Sequence, residues 1–173
     1  MGLDLDLGDG LMTSPCNDGA LAMTDEAEFY PMPSFATLSV RDLVASLRWY
    51  CEALGFRSVF VMPGPSGSPA LAHLRWTRYA DLLLRAGPPD AEPAANGRGI
   101  ALTYSVGLDR LDALAERARS YGANFLQEPG DRPWNARDFT VADPDGFALV
   151  FTAGPLRREL SLDQVVANAR RAS

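Results

Sequence analysis

Two stretches of this chain carry the same order of strands, helix and glycine at a nearly constant offset. Gly55 and Gly122 are 67 residues apart, as are Gly87 and Gly154, and Val40 and Val106 are 66 apart. A repeat of this length demands a fold made of two like units that bury their apolar faces together. "SFATLSV" (34–40) alternates as a strand, and "RDLVASLRWYCEAL" (41–54) places Leu43, Leu47, Tyr50 and Leu54 at helical spacing before Gly55 closes the helix. "FRSVFVM", "ALAHLRW" and "YADLLLRAG" read as three further strands, with "PGPSGSP" as a loop between the first two. The second unit opens with "GIALTYSV" (99–106) and continues with a helix over 108–121. The strands "ANFLQEP", "ARDFTVA" and "GFALVFTAG" complete it.

Each unit is therefore β-α-β-β-β, giving an α+β fold of two βαβββ modules, 34–87 and 99–154, within a domain spanning 34–155. One face of each four-stranded sheet buries a helix. The other faces build a cup-shaped sheet, and a pocket there is the expected binding site. Residues 1–33 form an acidic arm expected to be flexible, and residues 156–173 hold a C-terminal helix starting near Ser161 or Asp163.

Charge and cysteine content exclude several classes of function. Residues 1–30 carry seven acidic and no basic residues, so the formal net charge of −6 belongs to the arm, and the rest of the chain is nearly neutral. All 16 basic residues are arginines without a clustered block, which predicts no nucleic-acid footprint. No apolar run is long enough to cross a bilayer. The N-terminus has no basic region followed by an apolar one, so a cytoplasmic protein is expected. The two cysteines, Cys16 and Cys51, fit no metal spacing and read as free thiols.

"LSVRDLVASLRWYCEALGF" (38–56) and "RPWNARDFTVADPDGFALVF" (132–151), together with the duplication, resemble the vicinal oxygen chelate superfamily, which includes glyoxalase I, extradiol dioxygenases and bleomycin resistance proteins. The second stretch is similar to the closing hairpin of the bleomycin-resistance branch. There a tryptophan precedes an Arg-acidic-Phe triplet and an Asp-Pro-x-Gly turn. In metal-dependent members, four strand positions supply His, Glu or Gln ligands, and the resemblance places these at Phe35, Leu83, Ala101 and Val150. Carbon side chains cannot coordinate a divalent ion. The resemblance thus implies no metal, no cofactor and no catalytic residue, and a cup that binds an antibiotic-like small molecule in a homodimer. A metal-dependent lyase, isomerase or dioxygenase is the alternative. A cofactor-free enzyme using His73, Asp81 or Arg75, and an acidic arm lying in the cup, are further readings.

Strand alternation assigns the candidate ligand contacts. Phe35, Leu83, Ala101 and Val150 on the cup side bring Thr37, Ser39, Asp81, Arg85, Thr103, Ser105, Ala148 and Thr152 with them. His73 and Arg75 share one face of their strand, Phe60 and Met62 flank the mouth, and Trp134 stands in a loop at the rim. Arg137 and Asp138 point to opposite faces, as a ligand contact or as an ion-pair partner. Asn135 stands where the bleomycin branch often has glycine, so a differently shaped loop is expected after Trp134.

Overall fold

A computed structural model describes residue 32 and residues 34–87 and 99–172 of the chain. The arm, together with most of the linker over 88–98, lies outside the described residues. The first module comprises β1 (Phe35–Val40), α1 (Leu43–Trp49), β2 (Arg57–Pro63), β3 (Pro69–Thr77) and β4 (Ala80–Ala86). The second comprises β5 (Ala101–Ser105), α2 (Leu111–Ser120), β6 (Asn124–Arg132), β7 (Ala136–Ala142) and β8 (Ala148–Ala153), and α3 (Leu162–Ala172) follows. The sheets have the orders β1-β4-β3-β2 and β5-β8-β7-β6, each with one parallel pair and two antiparallel pairs. Two mixed four-stranded sheets with three helices make the α+β architecture the repeat demanded.

Local chemistry explains the boundaries. Asp42 caps α1, its side chain accepting from the Ala45 N–H at 3.0 Å. The expected single helix over 41–54 instead passes into a π-helical turn over Tyr50–Leu54, which ends at Gly55 in the left-handed region. Two carbonyls at that end, of Cys51 and Glu52, accept hydrogen bonds from the Arg117 guanidinium of α2 at 3.0 and 2.6 Å, the former in addition to the Gly55 N–H. Pro129 is tolerated inside β6 because that strand is an edge and owes no hydrogen bond outward. Ser161 and Gln164 cap α3 reciprocally, each side chain accepting the other's backbone N–H. Cys51 is buried and disulfide-bonded, and no free cysteine is found among the described residues, which corrects the expectation of a free thiol there. Sequence spacing could not show it, because a disulfide depends on approach in space. Cys16 lies outside the described residues.

The modules meet through their helix-side faces. Leu38, Val40, Ala72, Leu74, Leu82 and Leu84 from one sheet join Tyr104, Phe139, Val141, Leu149 and Phe151 from the other in one buried cluster. A chain of rings crosses the junction, with Tyr50, Phe56, Tyr104, Phe151 and Phe139 in successive contact at centroid separations of 5.2–5.7 Å.

Two carboxylates of the Asp-Pro-Asp-Gly turn lock this junction. Asp143 accepts the backbone N–H groups of Asp145 and Phe147 through Oδ1 and the Tyr50 hydroxyl through Oδ2, at 2.9, 2.8 and 2.8 Å. Asp145, almost fully buried, accepts from Arg41 Nε at 2.9 Å and from the Ser46 hydroxyl at 3.3 Å. Burial above all holds the Asp143 carboxyl above its ordinary range, against the hydrogen bonds that favour its charge. Burial and the adjacent Asp143 likewise raise the Tyr50 phenol.

Tyr50→Phe leaves a buried acceptor without its donor and is expected to lower unfolding free energy by about 1–3 kcal/mol in urea titrations. The raised Asp143 pKa gives a signed pH effect. The folded state holds that proton more tightly than the unfolded one, so this contribution is full below about 3.9 and is lost as pH rises through the raised value. Asp143→Asn, which does not ionise, should therefore gain stability relative to the parent as pH rises toward neutrality.

Candidate functional site

The faces opposite the core carry most of the residues that the sequence singled out as candidate ligand contacts. On the first module the strand register puts Phe35, Thr37 and Ser39 of β1 beside Asp81, Leu83 and Arg85 of β4. Leu71, His73 and Arg75 of β3 come next, opposite Met62, Phe60 and Arg57 of β2. On the second module, Ala101, Thr103 and Ser105 of β5 lie beside Ala148, Val150 and Thr152 of β8. Thr140 and Asp138 of β7 then pair with Val150 and Thr152. A register shift in β2 between Ser58 and Phe60 takes up one residue, so that Phe60 returns to the face of His73.

The structure therefore groups Phe35, Phe60, His73, Arg75 and Leu83 on one sheet face, and Ala101, Thr103 and Val150 on the other. Large apolar side chains stand open on the first face, with Phe35 46% and Phe60 37% exposed. Trp134 lies in the turn joining β6 to β7 and is 53% exposed. Arg137 belongs to the opposite face of β7, where Asp112 of α2 and Asp131 hold its guanidinium at 3.0 and 2.8 Å. Those two carboxylates raise its pKa and keep it charged. Its neighbour Asp138 is the cup-side member of the pair, bonded to Arg132 Nε at 2.6 Å.

Asn135 adopts the left-handed backbone, at φ 65°, that a glycine would take without strain. The turn after Trp134 thus keeps the shape glycine permits. The asparagine amide adds a bridge, donating to the Arg157 carbonyl and accepting its N–H at 2.8 and 2.9 Å. A cleft of about 410 Å³ lies beside that bridge, lined by Asp131, Arg132, Leu156 and Asn168 among others.

One buried polar cluster interrupts the apolar floor. Asp81 Oδ1 accepts Arg75 Nε at 2.7 Å and lies 2.7 Å from His73 Nε2. All three residues are at most 8% exposed, and Phe60 packs edge-on against the imidazole with ring centroids 5.4 Å apart. Asp81 therefore acts as the hub for two residues singled out in the sequence. The signal for that role was available: the β3–β4 hairpin pairs Arg75 directly with Asp81, and cross-strand opposite charges attract. With Nε2–H directed at Asp81, a neutral His73 ring keeps Nδ1 as an acceptor.

The positions that the vicinal oxygen chelate resemblance assigns to metal ligands hold only carbon side chains. Phe35, Leu83, Ala101 and Val150 all lie on the cup-side faces, and none offers nitrogen, oxygen or sulfur from its side chain. Among the described residues no three His, Cys, Asp or Glu side chains gather in an ion-binding group. The donor set does not fit a divalent metal at the family position.

A family model described as the glyoxalase/bleomycin resistance protein/dioxygenase superfamily matches residues 33–151. Among solved structures, the chain is similar to TioX from Micromonospora sp. ML1, with 26% identity and a TM-score of 0.54 over 69% of this chain and 95% of that one. It is also similar to a glyoxalase/bleomycin resistance protein/dioxygenase from Nocardioides, with 27% identity and a TM-score of 0.53 over 72% and 84% of the two chains. The fosfomycin resistance protein FosX from Mesorhizobium loti, 20% identical, shares the fold at a TM-score of 0.56 over 74% of this chain and 96% of that one. No curated protein sequence matches the chain.

Replacing Asp81 with Ala removes the carboxylate that His73 and Arg75 share in a buried setting. The expected cost is about 3–5 kcal/mol of unfolding free energy, read from urea titrations. Ser105→Ala, on the open face of β5, should change stability by less than about 0.5 kcal/mol in the same measurement.

Proposed function

The chain belongs to the glyoxalase/bleomycin resistance protein/dioxygenase superfamily, and on that premise we propose that it is a metal-free binding protein of the bleomycin-resistance-like branch. Its ligand is a hydrophobic or aromatic antibiotic-like small molecule, which it sequesters rather than transforms. The observation that carries this reading is the chemistry of four cup-side positions, Phe35, Leu83, Ala101 and Val150, where carbon has replaced every donor. An apolar floor with a few fixed polar groups is what an organic ligand of that kind needs.

The open cup-side faces support a homodimer. Phe35, Phe60 and Met62 are exposed on one sheet and Ala101 on the other, a concentration of apolar surface that monomers seldom leave uncovered. A second copy that lays its sheet against this face encloses the ligand between subunits and removes that surface from water. Trp134 at the β6–β7 turn then serves as an aromatic rim, where stacking on a planar ligand adds about 0.5–1.5 kcal/mol beyond burial.

Calorimetric titration against a panel of planar antibiotics is expected to give saturable binding to a dimer, the dimer being checked by light scattering. Thr103→Trp should abolish binding at an unchanged melting temperature, because it fills the cup from an exposed position. Stoichiometric iron, manganese, nickel or zinc in the purified protein would overturn the proposal in favour of a metal-dependent lyase, isomerase or dioxygenase.

A further inference from the structure

The duplication supplies an internal control for deciding which cup-side residues the fold requires. Offsets of 67 carry Arg57, Phe60, His73, Arg75, Asp81, Leu83 and Arg85 onto Asn124, Gln127, Thr140, Ala142, Ala148, Val150 and Thr152. The strand registers agree: Arg75 opposite Asp81 in the first sheet corresponds to Ala142 opposite Ala148 in the second. His73 opposite Leu83 likewise corresponds to Thr140 opposite Val150. Every ionisable side chain on this face of the first module thus has an uncharged counterpart at the same place in the second. The second module builds the same four strands without them, so the scaffold does not need this charge.

Most of this charge is cationic: Arg57, Arg75 and Arg85 stand on the face with Asp81, which pairs with Arg75 at 2.7 Å. Its counterpart face carries Arg132 and Asp138, which neutralise each other at 2.6 Å. Arg85 is exposed and makes its side-chain hydrogen bond to the Ser39 hydroxyl at 3.0 Å. Asp81 fixes Arg75 and His73 in place, so their positions are set before a ligand arrives. Around them lie aromatic and aliphatic carbon from Phe35, Phe60 and Leu83, and the hydroxyls Thr37 and Ser39.

We propose that this face of the first module selects ligands that carry an oxyanion, a carboxylate, sulfonate or phosphate, on an apolar or aromatic body. Arg85 meets the oxyanion at the surface, and the carbon side chains of Phe35, Phe60 and Leu83 receive the apolar body. Guanidinium groups suit this task because they offer several donors in a plane that matches an oxyanion. The proposal rests on the sequestration reading and narrows it to one class of ligand.

A matched pair of fluorescent probes separates the two ideas: 8-anilinonaphthalene-1-sulfonate and N-phenyl-1-naphthylamine, which lacks the sulfonate. With the full-length protein, both are expected to bind, the sulfonate at least about tenfold tighter. That advantage should shrink as salt is raised from about 0.05 M to about 0.5 M. Arg85→Gln should weaken sulfonate binding about tenfold and leave the neutral probe unchanged. Arg48→Gln, on the outer surface of α1, should alter neither. Binding of the neutral probe with no preference for the sulfonate overturns the oxyanion proposal and leaves sequestration standing. A preference that survives Arg85→Gln, or that Arg48→Gln removes equally, also overturns it. Failure of both probes to bind overturns both readings.

Discussion

Two buried carboxylates on one turn determine how the halves of this protein are joined. Asp143 spends one oxygen on closing its own turn and presents the other to Tyr50 of the first module. Asp145 reaches the start of the first helix through Arg41 and Ser46. Proline and glycine between and after them set the reversal, Gly146 adopting φ 89°. A turn that any hairpin could use has become a junction because its polar atoms face a neighbouring module instead of water. The π-helical turn at Tyr50 belongs to the same arrangement, since it delivers the phenol at the point where the helix meets the second sheet.

Joining the modules through their helix sides has a consequence for function. The ring chain from Tyr50 to Phe139 runs through those faces within one close-packed cluster, so neither sheet can change there without disturbing the other. The opposite faces carry no such load. One carries mainly small and hydroxyl side chains with a single Arg132–Asp138 pair; the other carries three arginines, a histidine and an aspartate on the same strand order. Duplication leaves a protein with one scaffold and two surfaces, and the surfaces are free to diverge.

Much of this was legible along the chain. The repeat, the βαβββ order and the face on which each strand residue stands follow from glycine spacing and period-two alternation, while the family resemblance picks out Phe35, Leu83, Ala101 and Val150 as ligand positions held by carbon. The opposite directions of Arg137 and Asp138 follow from the same rule. Which partner each would take did not: Arg137 is held by Asp112 of α2, 25 residues away, and Asp138 by Arg132. The role of Asn135 was half legible. Its position after Trp134 marked a turn, but its bridge to Arg157 needed the C-terminal segment to return across that turn.

The sequence by itself determined the alternation of faces and the atoms available on each, because strand geometry is local and a side chain's direction depends only on its own backbone. Tertiary structure decided who meets whom: that Asp143 and Asp145 clasp the first helix, that Asp112 holds Arg137, and that Cys51 is bonded rather than free. Those outcomes depend on how elements far apart in the chain pack, and no spacing rule reports a distance between elements that touch only after folding.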